Sequence, residues 1–361
     1  MVFTPVPFPV RRVGKHDRTA EVLPALIRSC AKLTALAPTH PLGPNGMAGT
    51  AGAWRPPCAA LAKLSGDDDQ AARSFLESWF VPHAATNNVK SEGLFTGYYE
   101  IEARGSLSPD ERYSAPIYRR PPDLVTVDLG EFNDKYKGER TAGRVDNGRL
   151  RPYATRAQIE AGALAGRELD WLWLDDPIDS FFLQIQGSGR ITLPDGRLIR
   201  VGFAGQNGHR YYAIGRDLID QGWLSRETTS LQTIRAWLRD HPAEAPALMN
   251  RNPSYVFFEE VAGEAPIGSQ GVPLTPGRSL AVDRGFIPLG VPVWLDAEGP
   301  INKTLRVRRL LVAQDTGGAI RGPVRGDVFW GHGVDAERNA GFMKSEGRYF
   351  VLLPRTAQAQ P

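Results

Sequence analysis

From residue 255 to residue 353 the chain is a succession of short apolar runs, at 255–259, 279–282, 292–295, 304–314, 328–330 and 349–353, separated by connections that carry Gly and Pro. Runs this brief, rich in β-branched and aromatic residues and bounded by turn formers, suit strands better than helices. So many strands with tight connections predict antiparallel or mixed β-structure closed as a barrel, since closure removes unpaired edges. The 38 Gly and 29 Pro among 361 residues point the same way.

Helical spacing is found elsewhere. Apolar positions recur at three and four residues over 20–36 (Val22, Leu23, Leu26, Ile27, Cys30, Leu33) and over 68–80 (Ala71, Ala72, Phe75, Leu76, Trp79). The Gly- and Pro-rich stretch between them, 40–57, predicts a loop. Further helices are expected at 156–168, 213–221, 230–240 and 243–250, and strands at 94–99, 115–118, 180–186, 190–193 and 198–203. The last two strands flank Pro194-Asp195-Gly196-Arg197 and form a predicted hairpin. The length accommodates two domains. A net charge of +3, spread evenly, gives no sign of a nucleic-acid partner.

No run reaches the length of a membrane-spanning helix. Three prolines precede Arg11 and Arg12, the reverse of the order in a signal peptide, and Arg28 just before Cys30 argues against a lipid-modified cysteine. The segment 355–361 is polar and small and predicts a disordered tail. Cys30 and Cys58 lack metal-ligand spacing and read either as two buried thiols or as one disulfide. The six histidines occur singly, so no metal site is expected, and Gly187-Ser188-Gly189 is not a serine-nucleophile elbow.

The remaining candidates for chemistry are carboxylates. Asp283, Asp315 and Asp327 each sit in apolar sequence punctuated by Gly or Pro, where burial would raise a pKa toward that of a general acid. Asp315 and Asp327 are twelve residues apart, which is compatible with neighbouring strands or loops converging on one cleft. Gln184, Gln186 and Arg190 surround a Gly187-Ser188-Gly189 turn and offer amides suited to sugar hydroxyls and N-acetyl groups. Thr96, Gly97, Tyr98 and Tyr99 combine a hydroxyl with aromatic faces, as sugar clefts do, although an aromatic core strand accounts for them equally.

These stretches, together with Gly205-Gln206-Asn207-Gly208, Tyr212-Ala213-Ile214-Gly215-Arg216, and 252–258, occur in an order that resembles the membrane-bound lytic murein transglycosylase A family from about residue 90 to 353. The resemblance implies a mainly β protein with peripheral helices: a discontinuous double-psi β-barrel from 1–100 and 256–361, and an inserted β-rich substrate domain from 101–255, with a groove for a glycan strand. It implies a carbon–oxygen lyase that cuts peptidoglycan between N-acetylmuramic acid and N-acetylglucosamine to leave a 1,6-anhydro end, without a cofactor. By the same resemblance Asp327 is the acid and then the base, Asp315 its neighbour, and Asp283 a structural partner. Thr96, Gly97, Tyr98, Gln184, Gln186, Gly187, Ser188, Gly189, Gly318 and Ala319 line subsites, with Arg190 and Arg325 on anionic stem-peptide groups.

The implied partners are glycan strands and cell-wall synthesis proteins, and the implied place is the periplasm; outer-membrane association, common in the family, lacks a lipid-attachment cysteine here, and a monomer is the default expectation. An oxidising compartment tips Cys30 and Cys58 toward a disulfide. A peptidoglycan hydrolase using two aspartates and a non-catalytic glycan-binding protein are the alternatives.

Overall fold

The computed structural model describes residues 2–8, 17–64, 66–88, 90–136 and 139–355. Arg11, Arg12 and residues 356–361 of the expected tail lie outside them. Along the chain, β1 (Val2–Pro5) precedes α1 (Leu23–Thr34), α2 (Ala51–Leu61), α3 (Asp69–Trp79), β2 (Phe80–Thr86) and β3 (Gly93–Ser106). Next come β4 (Ala115–Tyr118), β5 (Val125–Asp128), β6 (Arg140–Asp146), β7 (Arg149–Pro152), α4 (Arg156–Gln158) with a wider helical turn at Ile159–Ala163, and β8 (Asp170–Leu174). They are followed by α5 (Pro177–Gln186), β9 (Ser188–Thr192), β10 (Leu198–Gln206), α6 (Gly215–Asp220), α7 (Leu231–Asp240), α8 (Ala245–Met249) and β11 (Val256–Glu260). The last part runs β12 (Ser279–Val282), β13 (Pro292–Glu298), β14 (Arg306–Asp315), β15 (Arg325–His332), α9 (Val334–Phe342) and β16 (Lys344–Pro354).

Two compact units form. The first comprises Met1–Tyr98, Ile267–Gly331 and Met343–Pro361; the second comprises Tyr99–Pro266 and His332–Phe342. The boundary expected at 256 lies further on because β11 pairs with β10 through Phe203↔Phe258 and Gln206↔Val256. Residues 332–342 join the second unit through α9, where Arg235 Nη1 meets Glu337 Oε1 at 2.8 Å and Gln232 Nε2 donates to the Glu337 carbonyl at 3.1 Å.

In the first unit strand pairing follows β3, β16, β13, β14, β12 and β15 and returns to β3, a closed path. β12 and β14 run parallel, whereas β12–β15, β13–β14, β13–β16 and β16–β3 are antiparallel. Inward residues such as Val282, Val293, Leu311, Val328 and Val351 are buried with Leu26, Leu33, Trp54 and Phe75 of the three helices. α3 is started by Asp68, whose side chain accepts from the Gln70 and Ala71 amides.

The expected loop at 40–57 is corrected by α2, which begins at Ala51 and contains Pro56 and Pro57. Proline costs a helix its own hydrogen bonds. Here burial of Trp54, Cys58 and Leu61 and the disulfide between Cys58 and Cys30 of α1, with Cα atoms 5.5 Å apart, outweigh that cost.

In the second unit pairing follows β11, β10, β9, the distal half of β3, β8 and β4, and a parallel bridge Arg119↔Phe258 leads back from the end of β4 to β11. The β9–β10 hairpin falls where the sequence predicts it. β5, β6 and β7 form a separate small sheet whose β6–β7 turn, Asn147-Gly148, takes positive φ at both positions, a hairpin signal absent from the expectations above.

The expected strand at 180–186 is a helix. Asp176 caps its start by accepting from the Ile178 amide, Pro177 opens its first turn, and Gly187 closes it in the left-handed region at φ 81°. Its run of Phe181, Phe182, Leu183 and Ile185 is apolar enough to mimic a buried strand.

Candidate active site

Strand alternation in β3 points Thr96 and Tyr98 to one face, with Gly97 between them. Each hydroxyl meets one of the two aspartates. Thr96 Oγ1 donates to Asp327 Oδ1 at 2.6 Å, and the Tyr98 phenol donates to Asp315 Oδ2 at 2.9 Å. The aspartates themselves come from β14 and β15, which are not neighbours: β12 lies between them, and Ala281 is the register partner of both Asp315 and Asp327. Laterally paired residues project to the same side of a sheet, so the small Ala281 methyl occupies the row between two carboxylates.

The two carboxylates are held differently. Asp315 Oδ1 accepts from the Ser269 amide, the Ser269 hydroxyl and the Thr316 amide, each at 2.9 Å, in addition to the Tyr98 bond on Oδ2. Asp327 accepts from Thr96 alone among the described residues, leaving Oδ2 without a protein partner. Burial raises the pKa of both. For Asp315 the donors from Ser269, Thr316 and Tyr98 pull it back. For Asp327 the Arg325 charge and the Thr96 bond lower it, while the Asp315 charge pushes it up. Four donors fit an anion, and one donor on a half-buried carboxyl fits a protonated acid. Burial and the Asp315 charge also hold the Tyr98 phenol well above its ordinary value, so it stays a donor.

Ser269 has no counterpart in the sequence expectations. It sits in a loop laid against β14: Gln270 N donates to the Gln314 carbonyl at 3.0 Å, and a Cβ on Gly268 would stand 2.6 Å from that same oxygen. Below the loop, Gln314 is fully buried, donating to Ser29 Oγ and the Ala25 carbonyl of α1 and accepting from Ser279. Only a Gly-Ser pair at 268–269 hints at this in sequence, which is too common a pair to be a signal.

Asp283 stands outside the carboxylate row. It accepts from the Gly285 amide at 3.0 Å and the Gly322 amide at 2.8 Å, tying the end of β12 to the loop that carries Gly318 and Ala319, both exposed. Arg325, expected on stem-peptide anions, donates within the protein to Thr96 Oγ1 at 2.9 Å and to the carbonyls of Gly326 at 2.6 Å and Leu94 at 3.3 Å.

The second set of expected residues belongs to the second unit. Because α5 is helical, Gln184 and Gln186 lie about 200° apart instead of side by side as they would in a strand. Gln184 is buried and accepts from Arg156 Nη2 at 2.7 Å. Arg156, which no sequence signal singled out, is itself 2% exposed, faces the rings of Phe181 and Tyr255, and also donates to the Asn252 and Ser254 carbonyls. Gln186 Oε1 accepts from the Tyr99 amide at 3.0 Å. Gly187 is the helix cap, Ser188 is buried, and a Cβ on Gly189 would stand 2.5 Å from a Leu183 methyl and 3.0 Å from the Ile101 carbonyl. Arg190 lies in β9, paired across to Glu102 of β3 and Arg200 of β10.

Residues 94–259 match the MltA specific insert domain, and residues 278–353 match the 3D domain. Membrane-bound lytic murein transglycosylase A of Escherichia coli (strain K12) is 36% identical over 300 residues, spanning 80% of this chain and 72% of that protein. The protein of the same name from Vibrio cholerae is 33% identical over 266 residues, 72% of this chain and 65% of its own. Among solved structures, the membrane-bound lytic murein transglycosylase of Agrobacterium tumefaciens matches with a TM-score of 0.84 at 34% identity, covering 99% of each chain. E. coli MltA with bound chitohexaose matches with a TM-score of 0.67 at 28% identity over 98% of this chain and 92% of that one. The chain belongs to the membrane-bound lytic murein transglycosylase A family.

Proposed function

We propose that this protein is a lytic transglycosylase that cleaves the β-1,4 bond between N-acetylmuramic acid and N-acetylglucosamine in peptidoglycan, with Asp327 as a single acid and then base. The observation that carries this reading is the inequality of the two carboxylates, four donors on Asp315 against one on Asp327. In the first step Asp327 gives its proton to the glycosidic oxygen, and the bond to C1 of the muramic residue breaks. The C6 hydroxyl of that residue then bonds to C1 and passes its proton to the Asp327 carboxylate, which is returned to its starting state. No water is consumed. An intramolecular hydroxyl has the effective molarity that a second carboxylate and a positioned water would otherwise have to supply.

Burial keeps Asp327 protonated, and the charge of Asp315 adds to that effect. A two-carboxylate hydrolase needs a base free to engage water, and an Asp315 already accepting from Ser269, Thr316 and Tyr98 is poorly suited to that. We read the closed strand path of the first unit as a double-psi barrel that presents Gly318 and Ala319 to the glycan, and the second unit as the inserted glycan-binding domain, with Gln186, Ser188 and Arg190 as its contacts. The bound chitohexaose of the E. coli relative supports a glycan ligand. We place the protein in the periplasm, where a Cys30–Cys58 disulfide persists. Among the described residues no helix is long and apolar enough to cross a membrane.

Mass spectrometry of muropeptides released from purified peptidoglycan by the wild type and by Asp327→Asn, in parallel, tests the reading. Anhydro-muropeptides are expected from the wild type, with release reduced by about 100-fold or more in the variant. Products one water heavier would mean a hydrolase, and no release by folded wild type would mean a binding protein.

A further inference from the structure

Arg325 reaches Asp327 through a third residue. Its Nη2 lies 2.9 Å from Thr96 Oγ1, and that oxygen lies 2.6 Å from Asp327 Oδ1. A guanidinium only donates, so Thr96 Oγ1 accepts from Arg325 and its single hydrogen is left for Asp327 Oδ1. With Oδ1 occupied as an acceptor, the proton of the neutral carboxyl belongs on Oδ2, which has no protein partner among the described residues. We propose that Arg325 is a positioning residue that sets the direction of the Thr96 hydroxyl and thereby places the catalytic proton on Asp327 Oδ2. This rests on Asp327 being the acid.

The other terminal nitrogen of the guanidinium is engaged as well. Nη1 donates to the Gly326 carbonyl at 2.6 Å and the Leu94 carbonyl at 3.3 Å, which fixes the plane of the fork against β3 and β15. An arginine so engaged is a poor clamp for substrate carboxylates, which take both arms of a free fork. The charged and titratable groups around Asp327 are Arg325 on its own strand, Asp315 from β14 and the Tyr98 phenol from β3; β12 contributes only Ala281. Arg325 is the one cation among them, and its charge lowers the Asp327 pKa against burial.

A general acid works below its pKa and fails above it, so removing Arg325 moves the alkaline limb of the pH–rate profile to higher pH while misdirecting the proton. The experiment compares Arg325→Met, Arg325→Lys, Thr96→Val and the Thr96→Val/Arg325→Met double variant on peptide-bearing glycan and on glycan stripped of its stem peptides. For Arg325→Met we expect kcat to fall about 10- to 100-fold on both substrates, KM to hold, the alkaline limb to rise, and the double variant to lose no more kcat than Thr96→Val alone. Arg325→Lys keeps the charge and loses the fork, so its limb stays while kcat falls; it also carries the test if Arg325→Met does not fold.

A KM increase confined to peptide-bearing glycan with kcat and limb unchanged would overturn the proposal in favour of a substrate contact, and so would additive losses with Thr96→Val. The carbon-13 carboxyl resonance of Asp327 in the resting enzyme, assigned with Asp327→Asn, must titrate at higher pH in Arg325→Met. That readout needs no turnover. If Asp327→Asn still forms anhydro product, the acid assignment fails, whereas the titration reports on Arg325 separately.

Discussion

Replacing Asp327 by Asn removes a group that the folded state prefers neutral. Its raised pKa means that the native protein binds more protons than the unfolded chain between the ordinary aspartate value and the raised one. Stability contributed by this site is therefore fullest at low pH and falls as pH rises across that window. We expect Asp327→Asn to raise the melting temperature at pH 7 and to show no gain at a pH below the ordinary aspartate value; equal shifts at both would mean that the carboxyl is not held neutral. The Thr96 bond survives in this variant because an amide oxygen still accepts it. At Ala281, a valine would push two methyls into the row between Asp315 and Asp327, at a cost of about 1 to 3 kcal/mol. Turnover should drop more than stability does, and comparing kcat with urea midpoints distinguishes a blocked row from general damage.

The loop at 267–275 illustrates how an element rather than a motif builds the site. Gly268 allows the chain to press against the Gln314 carbonyl, which delivers both Ser269 donors to Asp315. Gly268→Ala should lift the loop, destabilise the first unit by about 1 to 3 kcal/mol, and free Asp315 from half of its donors. An Asp315 with fewer donors is itself easier to protonate, and it then no longer repels the charged form of Asp327. The alkaline limb should consequently move down in pH, opposite to the shift expected for Arg325→Met. An unmoved limb would show that Ser269 does not control the charge on Asp315. In α5 a different element decides the roles of two glutamines. Helical geometry sends Gln184 into the core with Arg156 and sends Gln186 to the Tyr99 amide. Gln184→Ala should accordingly behave as a stability variant, lowering the melting temperature with kcat unchanged at a temperature where it is folded.

Across the whole molecule, the helices that precede the strands are part of the first unit's architecture. The Cys30–Cys58 bond joins α1 to α2 across a sequence separation of 28. In the chain-entropy account such a closure is worth roughly 3.5 kcal/mol. Next to Cys30, Ser29 accepts from Gln314 and donates to Gln270, so α1 reaches the residue preceding Asp315 and the residue following Ser269. The Cys30→Ala/Cys58→Ala variant is expected to unfold at a lower temperature and to lose activity over the same range. A melting temperature unchanged from wild type would remove the disulfide from the account of stability.

Much of this protein follows from local patterns. Strands at 279–282 and 115–118, the β9–β10 hairpin, and the capped helix after Ser230 are set by residues close together in the chain, through period-two and period-3.6 spacing and turn chemistry. The order of motifs from Thr96 to Asp327 was likewise enough to suggest the family. Local pattern failed where distant packing outweighed it. Two prolines did not stop α2 once Trp54 and Cys58 were buried, and the apolar run of α5 had no period that separates a strand from a helix until its caps were seen. Nor could it show that β12 separates the two aspartates, that Ser269 approaches Asp315 from 46 residues away, or that Arg325 turns to Thr96, because each depends on which strands become neighbours. Spacing along a chain says nothing about that choice; it is made by burying both faces of many strands at once, and the carboxylate row is one of its results.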